Sequence, residues 1–152
     1  MIWGCMSWDG VGFMCKINGK MDQHLYKDIL KDDLWATINY YKWKPEKMVF
    51  QQDNDPKHKA RSVQQWLGEQ PFTVMNDWPG QSPDLNPIEH LWAHLKKALN
   101  SYETASSGMI ELWERIQDEW NKITPSTCEN LIKSMPDRCR AVIKAKGRWT
   151  KY

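Results

Sequence analysis

The order of elements along the chain predicts an α/β fold, and three observations carry that expectation. Apolar runs over residues 2–7 and 11–17 flank Asp9-Gly10, a tight-turn pair that marks a hairpin. From residue 22 to about residue 43 the period changes, with Leu25, Ile29, Leu30, Leu34, Ile38 and Tyr41 at helical spacing. Residues 48–50, a helical stripe of Ala60, Val63, Trp66 and Leu67, and residues 72–75 then read as strand, helix and strand. Strands alternating with helices build a sheet with helices packed on it.

Each boundary has a local reason. Asn18-Gly19 closes the second strand, and Pro45 stops the long helical segment. Asp55-Pro56 has the form of a helix N-cap followed by proline at the first helical position, with Gly68 as the stop. Residues 77–87 are punctuated by Pro79, Pro83 and Pro87 and read as a loop. A helix is expected at its end, with Asn86 as N-cap, Pro87 at N1 and Glu89 at N3. Ile88, Leu91, Trp92, Leu95 and Leu99 form its stripe. Further helices carry Ile110, Trp113, Ile116 and Trp120, start at Thr124-Pro125, and follow Pro136 through Val142 and Ile143.

Composition narrows the class. With 152 residues the chain is one ordinary domain in length, and 41% hydrophobic with 26% charged residues argues against a disordered or fibrous protein. Ten tryptophans are a large apolar load for this length, so packing is the first reading for any one of them. The net charge of +2 hides an uneven distribution: Arg138, Arg140, Lys144, Lys146, Arg148 and Lys151 fall in residues 138–152, which hold no acid. Such a tail suits phosphate contacts or a solvated helix end, and Trp149 within it could stack on a base. Cys5, Cys15, Cys128 and Cys139 are too widely spaced for a zinc knuckle and fit a reducing compartment. The start of the chain has no signal-peptide pattern, and no stretch approaches the ~20 apolar residues of a membrane span. A soluble, intracellular protein is expected.

Two carboxylates stand out. Asp53 follows a buried strand, where α/β sheets present functional groups, although an aspartate there also forms turns. Glu89 fits a capping box with Asn86, yet it also lies in a first helical turn whose dipole favours an ionised carboxylate. Taken together, two such oxygen donors suit Mg²⁺ or Mn²⁺ rather than zinc. Carboxylate clusters of this kind hold two metals about 3.5–4 Å apart for in-line phosphoryl transfer. His90 and His94 share a helix face but lack the zincin order, and His58 stands near the site or on a solvated helix start.

The segment Phe50-Gln51-Gln52-Asp53-Asn54-Asp55-Pro56-Lys57-His58, then Asp77-Trp78-Pro79, then Gln81-Ser82-Pro83-Asp84-Leu85-Asn86-Pro87-Ile88-Glu89-His90-Leu91-Trp92, closely resembles the DDE transposases of the Tc/mariner superfamily. Ile2-Trp3-Gly4-Cys5 with Ser7 resembles that family's second strand. Ser134-Met135-Pro136 and Ala145-Lys146-Gly147 resemble its C-terminal helices. The resemblance implies a ribonuclease H-like (retroviral integrase-like) fold, N-terminally truncated, with C-terminal helices. It frames residues 1–152 as a partial catalytic domain: a hairpin over 1–20, a core over 47–100 with Asp53 and Glu89, and helices over 108–152.

It further implies metal-dependent DNA cleavage and strand transfer in cut-and-paste transposition. Asp53 and Glu89 would be catalytic metal ligands, shaped by Asn54, His58, Asn86 and Pro87. Lys57, Arg61, Lys97, Arg140, Lys144, Lys146 and Arg148 are the candidate DNA contacts. Mg²⁺ or Mn²⁺ is the implied cofactor, with a two-metal site only in the complete domain. Transposon ends and target DNA are the implied partners, a homodimer on DNA is allowed, no membrane or small-molecule substrate is expected, and the nucleus is the implied location.

Two departures are visible. Asp53 and Glu89 have 35 residues between them, one more than the commonest Tc-branch spacing, which a loop can absorb. The family's first aspartate lies upstream of the segment matching residues 2–5, and Asp9, in the hairpin turn, does not replace it. The first strand would lie between the hairpin and residues 48–50, so its loss leaves unpaired edges and a chain expected to be marginally stable or to complete its sheet with another chain. The competing expectation is an inactive or domesticated remnant acting at most in nucleic-acid binding or interaction. A plain helical interaction module leaves the Asp53 and Glu89 motifs without explanation.

Overall fold

Asp9 and Gly10 turn the chain between β1 (Ile2–Ser7) and β2 (Gly10–Lys16), which pair in a two-stranded sheet. Gly10 has φ +137°, a backbone state that a side chain disfavours, which is why the turn pair carries glycine. The computed structural model describes residues 1–80 and 82–152. These fall into two units: Met1–Gly4 with Gly12–Gln81, and Cys5–Val11 with Ser82–Tyr152.

In the first unit the Asp22 carboxylate caps α1 (Gln23–Ile29) by accepting from the His24 and Leu25 amides, both at 2.9 Å. The helical segment widens into a π turn over Leu30–Leu34 before α2 (Trp35–Tyr41). Leu30 and Leu34 are both buried there, and the Thr37 hydroxyl bonds back to the Asp33 carbonyl at 2.8 Å. That hydroxyl also accepts the Phe13 amide of β2 at 2.9 Å, so α2 covers part of a strand edge that would otherwise lie open. The segment ends at Lys42, which takes φ +55°, three residues before the proline expected to stop it.

β3 (Val49–Phe50) and β4 (Thr73–Val74) pair in parallel, Val49 opposite Thr73 and Phe50 opposite Val74. The crossover between them carries α3 (Arg61–Gly68), which packs on α1 through Ser62, whose hydroxyl reaches Gln23 at 2.8 Å. The buried core of this unit includes Ile17, Tyr26, Ile29, Leu30, Leu34, Ile38, Val63, Leu67 and Phe72.

The expected helix starting at Asp55-Pro56 does not form; α3 begins at Arg61, and Ala60 before it is extended (ψ 141°). The Asp55 carbonyl does accept from the His58 and Lys59 amides, so a turn starts. It cannot propagate because the His58 carbonyl is taken by the Gln64 side chain at 2.6 Å and by that of Gln52 at 3.5 Å, the bond that helix continuation needs.

The second unit is helical: α4 (Ile88–Asn100), α5 (Met109–Asn121), α6 (Pro125–Lys133) and α7 (Met135–Lys144). Its buried side chains include Leu85, Leu91, Leu95, Trp120, Ile123 and Cys128. Thr124 caps α6 as the sequence predicts, accepting the Thr127 amide. Ile110 and Ile143, on the expected helices, are exposed.

At the start of α5, Glu111 accepts from the Ser107 amide and hydroxyl and pairs with Arg115. The Ser107 hydrogen bonds, then the Arg115 contact, pull the Glu111 carboxyl down to about 2. Because the folded state refuses a proton that the unfolded chain accepts near its ordinary value, this contribution is present above about pH 4.5 and fades as the pH falls toward 2. Urea melts of wild type and Glu111→Gln should therefore converge as the pH is lowered from about 5 to about 3. A difference independent of pH would count against the ionised contact.

Candidate active site

Asp53 stands just beyond β3 in the first unit, with its side chain 53% exposed. Oδ1 faces Nδ1 of His58 at 2.7 Å and accepts the Asp55 amide at 3.1 Å, while Oδ2 makes no hydrogen bond among the described residues. The contact with a carboxylate places the imidazole hydrogen on Nδ1, leaving Nε2 buried without a partner. The His58 ring is held from beneath by Tyr26, stacked at 4.0 Å between centroids and 27° between planes. Tyr26 is fully buried and donates its hydroxyl to Gln52, whose amide reaches back to the His58 carbonyl. Asn54 donates to the Trp78 carbonyl at 2.6 Å and ties this loop to the one after β4. The result is a carboxylate with one oxygen oriented and the other open, fixed by a chain of packed rings and amides.

Glu89 is exposed in the first turn of α4, in the second unit. Its amide donates to the Asn86 carbonyl at 3.2 Å, and the His90 amide to that of Pro87 at 3.1 Å. Asn86 was expected to cap α4; instead the helix opens at Pro87, which has helical dihedrals, and no side chain caps that position. The reason is upstream: the Leu85 and Asn86 amides already bond to Ser82 and Pro83, so residues 82–87 wind into turns leading directly into the helix. His90 is held below its ordinary range by burial and then by the charge of Arg138, an environment that disfavours a further cation. Among the described residues no group of three or more His, Cys, Asp or Glu is arranged to hold a metal.

The basic candidates divide. Lys57 is committed to Asp55 at 2.7 Å, and Arg140 pairs with Asp137. Burial raises the Asp55 carboxyl, but the hydrogen bonds from Lys57 outweigh it and the carboxyl lies below its ordinary value. Arg61, Lys97, Lys144, Lys146 and Arg148 are exposed. Arg61 opens α3, where the helix dipole disfavours a cation and so leaves it suited to an anion. Arg138, read as part of the basic tail, is a core residue at 1% exposure. Tyr26 was missed as a site residue. Its place three and four positions before Ile29 and Leu30 was the available signal.

With this geometry and the parallel β3–β4 pair in view, the class is clear. The chain belongs to the DDE superfamily endonucleases, whose family model matches residues 3–112. Among curated relatives, it is 40% identical over 155 residues to the transposable element Tcb1 transposase of Caenorhabditis briggsae and 39% over 154 residues to the transposable element Tc1 transposase of Caenorhabditis elegans. Each match covers 100% of this chain and 54% of the relative, so the chain spans about half their length. The crystal structure of the catalytic domain of Mos1 mariner transposase superposes with a TM-score of 0.82 at 21% identity, covering 99% of this chain and 75% of that one. The Mos1 mariner paired end complex with Mn gives 0.86 at 20% identity, over 99% and 44%. At that identity the likeness shows the fold, which is ribonuclease H-like as the sequence predicts. The resemblance to Tc/mariner transposases is likewise borne out.

Proposed function

We propose that this chain is part of a transposase catalytic domain, and that Asp53 and Glu89 are two of the carboxylates that hold divalent metal for DNA strand cleavage and transfer. The observation carrying the reading is Asp53 itself: half exposed beyond β3, one oxygen fixed by His58, the other open to a hard cation. Carboxylate oxygens are the donors that Mg²⁺ and Mn²⁺ prefer, and structures of the similar Mos1 transposase are described with each. When bound, such metals activate water or a DNA 3′-hydroxyl and neutralise charge on the phosphoryl group. This chain's own part is orientation: His58 and Tyr26 fix the Asp53 carboxylate, Asn54 fixes its loop, and the turns through Pro87 carry Glu89 on a rigid helix. Residues 1–152 together belong to one catalytic domain, with a third acidic ligand on a strand outside them.

Arg61, Lys97, Lys144, Lys146 and Arg148 are the cations left for DNA phosphates, and Trp149, at 73% exposure, can stack on a base. Transposon ends and target DNA are the substrates, a homodimer the working assembly and the nucleus the place of action. The described helices include none long and apolar enough to cross a membrane.

Nicking of DNA carrying the element's ends tests this, using the protein extended upstream through the strand that bears the third aspartate. A partner one contact out from a metal typically contributes about 10–100-fold, so His58→Ala should fall in that range. Asp53→Asn and Glu89→Gln, as direct ligands, should each lose more than about 100-fold. The 152-residue chain alone should nick little or nothing. If the extended protein is inert with its acidic residues intact, the remnant reading replaces this one.

A further inference from the structure

Arg138 is buried to 1% exposure in α7, yet it makes no ion pair among the described residues. Its Nη1 donates at 2.8 Å to the carbonyl of Asp84, 54 residues earlier, and its Nε donates to the Ser134 hydroxyl at 2.8 Å. The Tyr152 ring lies against the guanidinium at 4.8 Å. Asp84 is itself 7% exposed, and its Oδ2 accepts the Thr150 hydroxyl at 3.0 Å. Thr150 also accepts the Tyr152 amide at 3.3 Å, which closes the loop of contacts.

Burying a guanidinium is costly unless its hydrogen bonds are made, and burial does draw this one below its usual range while the Tyr152 and Asp84 charges pull it back up. Packing alone would be met more cheaply by methionine or leucine. What the arginine supplies is direction: a planar donor set that fixes a backbone carbonyl on one edge and α7 on the other. The carbonyl it fixes belongs to the turns that lead into α4, five residues before Glu89.

We propose that Arg138 and Thr150 are positioning residues that hold both ends of Asp84, backbone and side chain, and thereby set where α4 begins and where Glu89 is presented. This rests on the reading of Glu89 as a metal ligand, but the clamp can be tested without metal. From the sequence, Arg138 belongs to a basic tail suited to phosphate contacts or a solvated helix end, and Thr150 carries no signal. In the fold they are the support of the acidic residue's helix.

The experiment is amide hydrogen exchange on the 152-residue chain, comparing wild type with Thr150→Val, Thr150→Ser and Arg138→Lys. Valine keeps the volume and removes the donor to Asp84; serine keeps the donor. The Leu85, Asn86, Glu89 and His90 amides, each bonded within the turns, should exchange at least about tenfold faster in Thr150→Val, the local effect of one unmade buried hydrogen bond. They should return to wild-type rates in Thr150→Ser, while the α5 amides stay unchanged. Arg138→Lys should loosen the same four amides. If it fails to fold, the threonine pair decides. Unchanged exchange in Thr150→Val, or an increase shared equally by α5, overturns the proposal.

A second readout uses Mn²⁺ as the probe, on the protein extended upstream through the strand that bears the third aspartate. Paramagnetic broadening at the Glu89 amide should be present in wild type and weaker in Thr150→Val, and equal broadening in the two counts against positioning. If wild type shows no broadening at Glu89, the metal reading of that residue fails, and the exchange rates alone uphold or overturn the clamp.

Discussion

Replacing Trp120 with alanine lowers stability by about 3–5 kcal/mol, the cost of removing a large aromatic side chain from a core. Trp120 is 2% exposed near the end of α5 and stacks on Trp92 of α4, with centroids 5.1 Å apart and planes 16° apart. The two helices pack on each other, so the pair is part of what holds α4, and with it Glu89, in the second unit. An aromatic pair contributes about 0.5–1.5 kcal/mol beyond the area it buries, and alanine leaves a cavity as well. For a chain of this size the midpoint of thermal melting should drop by roughly 10 °C. Trp120→Phe keeps a ring against Trp92 and should lose markedly less. Trp149→Ala is the control: at 73% exposure the same residue type should change stability by no more than about 0.5 kcal/mol. Melts followed by circular dichroism decide, and equal losses at 120 and 149 would mean that burial is not what separates these tryptophans.

That comparison also marks what was legible in the sequence. Tryptophan count alone could not say which residues pack, because burial is a property of the neighbours. Elements whose cause is local were readable: Asp9-Gly10 turns the hairpin, Thr124-Pro125 opens α6, one strand ends before Asp53 and another begins after Phe72. The Asp55-Pro56 helix start misled because its competitor was not local in type. Two glutamine side chains, one before the turn and one in α3, took the carbonyl that the next helical amide needed. Asn86 misled similarly: a good cap residue stayed unused once the turns before it supplied helical geometry.

Asp53 and Glu89 stood out as candidates because the residues around each are local in sequence and belong to a recognisable pattern. Their supports did not. Tyr26 meets His58 across a separation of 32 by ring stacking, and Arg138 meets Asp84 across a separation of 54. In a one-dimensional reading a tyrosine on an apolar stripe is core and an arginine in a basic run is solvent-facing. Both priors rest on average environments, and both give way when a functional group elsewhere needs a rigid, directional partner. Residues that act on chemistry through another residue are therefore the part of such a site that only the fold exposes.

Tyr26 allows the packing and the orienting roles to be separated by two substitutions. Tyr26→Ala removes a fully buried ring beneath His58 and should destabilise the first unit by about 3–5 kcal/mol. Tyr26→Phe keeps the ring and loses the hydroxyl bond to Gln52, whose unmade partner costs about 1–2 kcal/mol. The His58 ring should respond differently to each. With phenylalanine the stacked aromatic face is still present, so the His58 ring protons stay shifted by the neighbouring ring; with alanine that shift disappears and the imidazole gains freedom to leave Asp53. Proton spectra of the two variants, taken well below their melting midpoints, read this directly. If the His58 signals are the same in Tyr26→Ala as in wild type, the tyrosine serves only the core, and the orientation of Asp53 depends on the loop backbone and Asn54 instead. If they move in Tyr26→Ala and stay in Tyr26→Phe, one buried ring links the packing of α1 to the direction in which the Asp53 carboxylate is held.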